Sequence, residues 1–460
     1  MRILSIVTDH YNVIVGGGLA GLFAAKVLLH RGYKNVVLIE KSLNTGGLLQ
    51  NTVVENPLED GRNFSFDHGT HFILAPKDEN IHPLIRQDLS LSEYYTFEDS
   101  LLEGHVINGT LYEPSGCASV FAFPFSIQQQ IKSELSELHS SKKTSVDLKN
   151  LKEECLIRYG KVATETIYEP AYKKFTGLPL DELDVSMGNY FAPGRLITEN
   201  RETAKELKQD PDWDWRLAYS DCVDGASEIV KYYPKNGGIG QWLNQMTKNL
   251  EACGVKILTD TTVDAVDYES RKISTISLST GETLLCEKFI WTLPAIFLSK
   301  LTQTEVPSLK PSIRYVRLVN FLIKGETIKR PYWITVYDDQ FQSCRVTLYD
   351  NFAPDNKDVV RVSVEMLHDG TSAKESNFEQ NIFYELKLLE ILDEDAELLW
   401  AECSDLANGF PVQTPLQKET YMQQNQILED KFENLHLVGP RPDTGGGQIE
   451  IMNYIWQRLV

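Results

Sequence analysis

The chain has 460 residues, enough to bury a large core in two or three domains. Its 42% apolar and 24% charged residues are ordinary for a soluble globular enzyme. A formal net charge of −20 opposes nonspecific nucleic-acid binding and docking on anionic lipid, but a local basic pocket for an anionic substrate stays open.

The seven cysteines are scattered singly, without C-x-x-C pairs, and the nine histidines show no metal-ligand spacing. A reducing compartment and no metal site are therefore expected. Residues 1–10 carry only the short apolar stretch Ile3 to Val7, too short for a secretory h-region, and no apolar run reaches membrane-spanning length. The expected location is cytoplasmic, and oligomerisation is left open.

The first strong element runs from Tyr11 to Gly47. An apolar run, Val13 to Val15, enters Gly16, Gly17 and Gly18; a small-residue helix from Leu19 to Leu29 follows; a second apolar run, Val36 to Ile39, stops at Glu40. This is a βαβ unit with G-x-G-x-x-G at Gly16, Gly18 and Gly21. Gly16 permits the tight turn, Gly18 lets a pyrophosphate approach the helix N-terminal amides, and Gly21 lets helix meet strand. Glu40 is placed to accept hydrogen bonds from a ribose, and its charge would repel a 2′-phosphate, which disfavours NADP. After Glu40-Lys41 comes a second glycine pair, Gly46-Gly47, which an NAD dehydrogenase does not need.

Further on, Phe64 to Ile73 reads as a strand delivering the turn Asp67-His68-Gly69-Thr70-His71. Asn108-Gly109 marks a hairpin. From Ser126 to about Tyr168 the pattern is helical, and residues 210–215, DPDWDW, read as an exposed acidic aromatic loop. A helix through Leu250, a strand at Val255 to Leu258, the segment Thr262 to Val266, strands at Ile273 to Leu278 and Thr283 to Leu285, and a buried strand ending at Leu293-Pro294 complete a second α/β block. Strands dominate between Arg314 and Glu365. The tail, Leu435 to Met452, reads as strand, glycine, loop and helix start.

These segments resemble the superfamily of FAD-dependent amine oxidases, protoporphyrinogen oxidases and UDP-galactopyranose mutases. The resemblance implies FAD, held by Gly16, Gly18, Gly21, Glu40, Lys41, Gly47, Val263, Gly439, Gln448 and Ile449. It also implies an α/β fold: a discontinuous Rossmann-type (GR2-like) FAD-binding domain, residues 1–75, 216–300 and 430–460, with an inserted α+β substrate domain. The insert would comprise a mainly helical cap, 76–215, and an antiparallel sheet, 301–429.

Three segments are similar to the mutases in particular. His71 matches their G-x-H near the reactive flavin edge. Pro170 to Gly177 resembles their Pro-x-Tyr-x-Lys-x-x-Gly, which brings in Tyr172. Phe341 to Pro354 resembles Phe-x-Arg-x-Thr-x-x-x-Asn-Tyr-x-Pro, so that Arg345 would grip a nucleotide diphosphate, a bidentate contact that lysine reproduces poorly. Catalytic roles are thereby implied for His71, Arg345 and Tyr172, and substrate contacts for Tyr190, Arg195 and Tyr349. Two departures bear on substrate identity: three glycines (Gly445 to Gly447) and Glu450 replace an aromatic-rich loop and an Asp, and Arg195 is the nearest basic substitute for an arginine expected near Tyr190.

The resemblance implies a mutase-like enzyme contracting the ring of a nucleotide sugar through flavin N5 in surface-polysaccharide biosynthesis. The alternative is an oxidoreductase of the amine oxidase or protoporphyrinogen oxidase type, moving hydride from a small-molecule substrate to flavin. A non-catalytic dinucleotide-binding protein would leave the aromatic and arginine segments unexplained.

Overall fold

The structure, a computed structural model, describes residues 10–97, 101–112, 117–141, 148–189, 194–219, 229–354, 358–371, 376–407, 409–439, 441 and 447–459. Tyr190 and Gly445-Gly446 lie outside them.

The glycine-rich unit folds where its pattern puts it. Strand His10–Val15 leads through the glycines into helix Leu19–His30, and strand Val36–Ile39 follows. Val13, Ile14, Val37 and Leu38 are completely buried, as expected of parallel strands covered on both faces. The seven-stranded sheet they start is mixed. His10–Val15 pairs in parallel with Val36–Ile39 on one side and Thr283–Trp291 on the other. Lys256–Leu258 and Leu435–Leu437 extend the parallel part, and Val263–Glu269, Lys272–Leu278 and Thr283–Trp291 run antiparallel to one another. Three sections far apart in sequence thus share one sheet. Helix Gln448–Arg458 closes it by packing on helix Leu19–His30. Arg31 secures that contact, with its guanidinium 4.8 Å from the Trp456 ring and donating to Trp456 O at 2.6 Å and Leu459 O at 2.7 Å.

The second large sheet has eight strands. Glu397–Asp405, Ser312–Lys324, Val360–His368, Arg345–Leu348 and Trp333–Val336 are antiparallel neighbours, and Phe410–Val412 pairs with Ser312–Lys324. The hairpin predicted at Asn108-Gly109 forms from Glu103–Ile107 and Thr110–Tyr112, and Glu103–Ile107 joins this same sheet, parallel to Trp333–Val336. Alternation along the strands gives the sheet two unlike faces. Val106, Ile334, Val336, Val346, Leu348, Val362 and Val364 form one buried apolar face, covered by helix Phe378–Leu388 through Phe378, Ile382, Phe383 and Leu386. In register on the opposite face are Glu103, Trp333, Thr347 and Ser363, with His105, Thr335, Arg345 and Glu365 in the next row.

A three-stranded sheet of Ile73–Pro76, Ile229–Pro234 and Tyr94–Phe97 lies beside the turn that carries His71. The helical pattern expected from Ser126 to about Tyr168 appears, among the described residues, as helices Phe125–Ser141 and Leu151–Ala163 with a π-helical turn at Thr164–Tyr168, and helix Glu169–Thr176 follows. The acidic aromatic stretch is not a loop: Pro211–Arg216 is a short helix, because Asp210 accepts from Asp212 N as its N-cap and Pro211 occupies the first turn.

Candidate active site

Three glycine contacts build the dinucleotide end. A Cβ on Gly21 would lie 1.8 Å from Gly16 O, so helix and strand meet only with glycine there. Gly16 itself has φ +106°, and a Cβ on it would lie 2.1 Å from Thr292 Oγ1. On the far side a Cβ on Gly439 would lie 2.2 Å from Thr292 O. Thr292, which carries no signal of its own in the sequence, is therefore the hub where three parallel strands end, and its hydroxyl donates to Val15 O at 2.8 Å. Its role depends on Gly16 and Gly439 arriving from opposite ends of the chain.

The rest of this end leaves a cradle without side chains. Gly18 caps helix Leu19–His30 without a side-chain hydrogen bond of its own, and among the described residues no other side chain accepts from the helix's first amides. Gly46 N donates to Gly17 O at 2.8 Å, which brings Gly47 against Gly18. Glu40 is fixed by two backbone donors, Gly17 N to Oε2 at 2.7 Å and Ser42 N to Oε1 at 2.8 Å, while each oxygen keeps a lone pair for a ribose hydroxyl. Bare helix amides, close glycines and an oriented carboxylate fit a dinucleotide's pyrophosphate and ribose. Lys41 is exposed and Val263 half-buried at the start of its strand. Gln448, first residue of helix Gln448–Arg458, donates to Phe72 O at 2.8 Å and accepts from Leu74 N at 3.2 Å, tying the C-terminal segment to the strand after His71. Ile449 comes next, half-buried, in the first turn.

The second centre lies where the His68–His71 turn meets the polar face of the eight-stranded sheet. A Cβ on Gly69, whose φ is +122°, would meet His71 Nε2 at 3.3 Å, Glu365 Oε2 at 3.4 Å and Arg345 Nη2 at 3.5 Å. Arg345 and Glu365 are cross-strand neighbours joined by a fork: Nε to Oε1 at 2.6 Å and Nη2 to Oε2 at 2.6 Å. Thr70 N also donates to Glu365 Oε1 at 3.1 Å, and the Thr70 hydroxyl bonds that of Thr347. Glu365 is 7% exposed, and although burial opposes its charge, the Arg345 guanidinium holds the carboxyl below its usual range. Burial also works against Arg345, yet Glu365 raises its pKa. His71 is pushed down to about 4 by burial and by the Arg345 charge, against an opposing pull from Glu365. At neutral pH it is an uncharged imidazole. Glu103, on the same sheet face, is pushed up to about 7 by burial, with Arg345 acting the other way.

Packing fixes this turn. Phe72, next to His71, sits among Phe97, Tyr233, Tyr332, Trp333 and Phe352 at ring separations of 5.0 to 6.1 Å. Asp67, 1% exposed, accepts from Tyr233 OH at 2.8 Å and Ile239 N at 2.9 Å, and its own amide donates to Tyr349 OH at 2.9 Å. Tyr349 is thus a buried strut under the turn.

The other expected site residues are not gathered here. Tyr172 is buried in the helical cluster, its hydroxyl donating to Met187 O at 3.3 Å. Arg195 donates to Asp214 O at 2.8 Å, beside the short helix. Glu365, Thr70, Thr347 and Glu103 were missed by sequence reasoning. The alternation in Arg361-Val-Ser-Val-Glu365 announced a strand, but not which of its faces looks toward His71.

The family profile described as flavin containing amine oxidoreductase matches residues 19–375. The chain belongs to that family. It is an FAD-dependent enzyme. Among solved structures, the fold is similar to reduced UDP-galactopyranose mutase with a TM-score of 0.75 at 17% identity, covering 97% of this chain and 92% of that one. It is also similar to a protein assigned as a protoporphyrinogen oxidase from Exiguobacterium sp. 255-15, with a TM-score of 0.69, 16% identity and 98% of each chain covered. A CLA-producing fatty acid isomerase from P. acnes gives 0.60 at 14% identity over 98% of each chain. No curated protein sequence matches the chain. Among the described residues no helix is long and apolar enough to cross a membrane, and no cluster of His, Cys, Asp and Glu could hold a metal ion.

Proposed function

We propose that this flavoenzyme is UDP-galactopyranose-mutase-like and acts on a nucleotide sugar. In this reading residues 1–75, 216–300 and 430–460 form a discontinuous FAD-binding domain, and 76–215 with 301–429 form the inserted substrate domain. The observation that carries it is the convergence of His71, Arg345 and Glu365 on Gly69. FAD, when bound, supplies a redox-active ring that is nucleophilic in its reduced form. Glu365 engages only the Nε–Nη2 edge of Arg345, whose side chain is about a third exposed (35%), so the Nη1 end remains for a diphosphate oxygen. His71, uncharged, offers a hydrogen bond and adds no positive charge. Thr70 and Thr347 hold the turn in place. Tyr172, Tyr190 and Arg195 retain the parts the mutase resemblance implies for them only if ligand binding rearranges the cap, and Tyr349, buried under the turn, supports the site from below.

A second reading, hydride transfer from a small-molecule substrate to flavin, is favoured by one specific observation. The Arg345 charge is already compensated by Glu365, so this pair offers no net positive charge to a diphosphate.

Activity separates the two. Dithionite-reduced holoenzyme incubated with UDP-galactofuranose and UDP-galactopyranose should interconvert them chromatographically, and oxidised enzyme should not. No interconversion, together with anaerobic bleaching of the flavin by an amine or a polycycle, would replace the first reading by the second.

A further inference from the structure

The loop that delivers Arg345, residues 337–344, is gripped from two sides by opposite charges. Lys174, the lysine of the Pro-x-Tyr-x-Lys segment, points its ammonium at three backbone carbonyls: Val336 O at 2.7 Å, Asp338 O at 2.8 Å and Ser343 O at 2.7 Å. Three acceptors saturate the three ammonium hydrogens. From helix Phe378–Leu388, Glu385 accepts from Gln342 N at 2.8 Å, from Ser343 N at 2.9 Å and from the Ser343 hydroxyl. A third corner is fixed by Asp338, whose carboxylate accepts from Asn108 N at 2.7 Å and Gly109 N at 2.6 Å.

Removing charges from water to bind the backbone of one loop is costly, and burial lowers the Lys174 pKa accordingly. A hairpin needing only to turn can do so in two residues without charged supports. The end of this loop sets the strand register at the site: Cys344 N donates to Glu365 O at 2.8 Å, and the next side chain is Arg345.

We propose that Lys174 and Glu385 are positioning residues, which clamp the 337–344 loop so that the Arg345 guanidinium stays in its fork with Glu365 beside His71. The proposal rests on the reading of Arg345 as a site residue, and does not depend on the substrate being a nucleotide sugar. The clamp joins the helical segment, the eight-stranded sheet and the helix behind it at one point. Loosening either side frees the guanidinium while leaving Glu365 in place.

The test reads His71, because Arg345, Glu365 and His68 are the charged or titratable groups acting on it. In 13C-histidine-labelled holoenzyme, NMR titration from about pH 4 to 8 should find the parent His71 protonating only at the acid end. Arg345→Ala removes a repelling cation and should move the titration upward, by less than the full depression because burial, its larger cause, remains. Lys174→Met and Glu385→Gln should each produce a shift in the same direction, and either should add nothing in the Arg345→Ala background. Variants with parental flavin content and circular dichroism but an unmoved His71 would overturn the proposal. Two substitutions on different helices keep the test available if one fails to fold, and failure to bind UDP would refute the nucleotide-sugar reading without touching this readout.

Discussion

Arg345 and Glu365 face each other across adjacent antiparallel strands and share two hydrogen bonds of 2.6 Å. The pair holds a guanidinium rigidly at the site while cancelling its charge, which sets two requirements against each other. Glu365→Gln keeps the shape and removes the charge. Because Arg345 is partly exposed, the cost should be roughly 1–3 kcal/mol, below that of breaking a fully buried pair, as read by denaturant unfolding. If the substrate is a nucleotide sugar, UDP should then bind the reduced enzyme a few-fold more tightly. Weaker binding would mean that the orientation supplied by Glu365 outweighs the charge it cancels.

Thr292 provides a test of the cofactor end. Gly439→Ala would place a methyl group 2.2 Å from a backbone carbonyl, so a strand end must move. We expect loss of bound flavin, seen as loss of visible absorbance, with destabilisation of roughly 3 kcal/mol or more. Thr292→Val removes only the hydrogen bond to Val15 O and should cost about 1 kcal/mol with flavin retained. Full flavin occupancy in Gly439→Ala would show that the close approach is dispensable.

Asp67 predicts a pH dependence. Burial pushes its pKa up to about 7, against the opposing hydrogen bonds of Ile239 and Tyr233 and the charge of Arg361. In the unfolded chain this carboxyl loses its proton near 3.8, whereas the folded state retains it to about 7. Between those values the folded state binds more protons, so stability from this group is present at low pH and falls as pH rises to 7. The loss is on the order of a few kcal/mol. Asp67→Asn should flatten that slope in urea unfolding at a series of pH values, and an unchanged slope would place the transition on other groups.

Much of the fold was legible because its signals are local. The glycine spacing from Gly16 to Gly21 and the apolar runs around it place strand, helix and strand at His10–Val15, Leu19–His30 and Val36–Ile39. The strands between Arg314 and Glu365 announce themselves by alternation. The features that escaped depend on distant partners. Glu365 becomes a site residue because helix Phe378–Leu388 covers the other face of its sheet, and Thr292 because glycines from both ends of the chain close on it. Glu103–Ile107 pairs with Trp333–Val336 across a long sequence gap that no turn signal encodes. The short helix Pro211–Arg216 is different: its Asp210 cap and Pro211 are local signals, outweighed by the acidic aromatic composition of DPDWDW.

The central claim, that Arg345 receives the diphosphate of a nucleotide sugar, is tested most directly by calorimetric titration of UDP into dithionite-reduced holoenzyme and its Arg345→Ala variant. Saturable binding to the parent, weakened at least about 30-fold (2 kcal/mol) in the variant, is the predicted result for loss of a charged hydrogen-bond donor. Equal affinity of the two proteins, or no binding by a parent that carries its full complement of FAD, would contradict it.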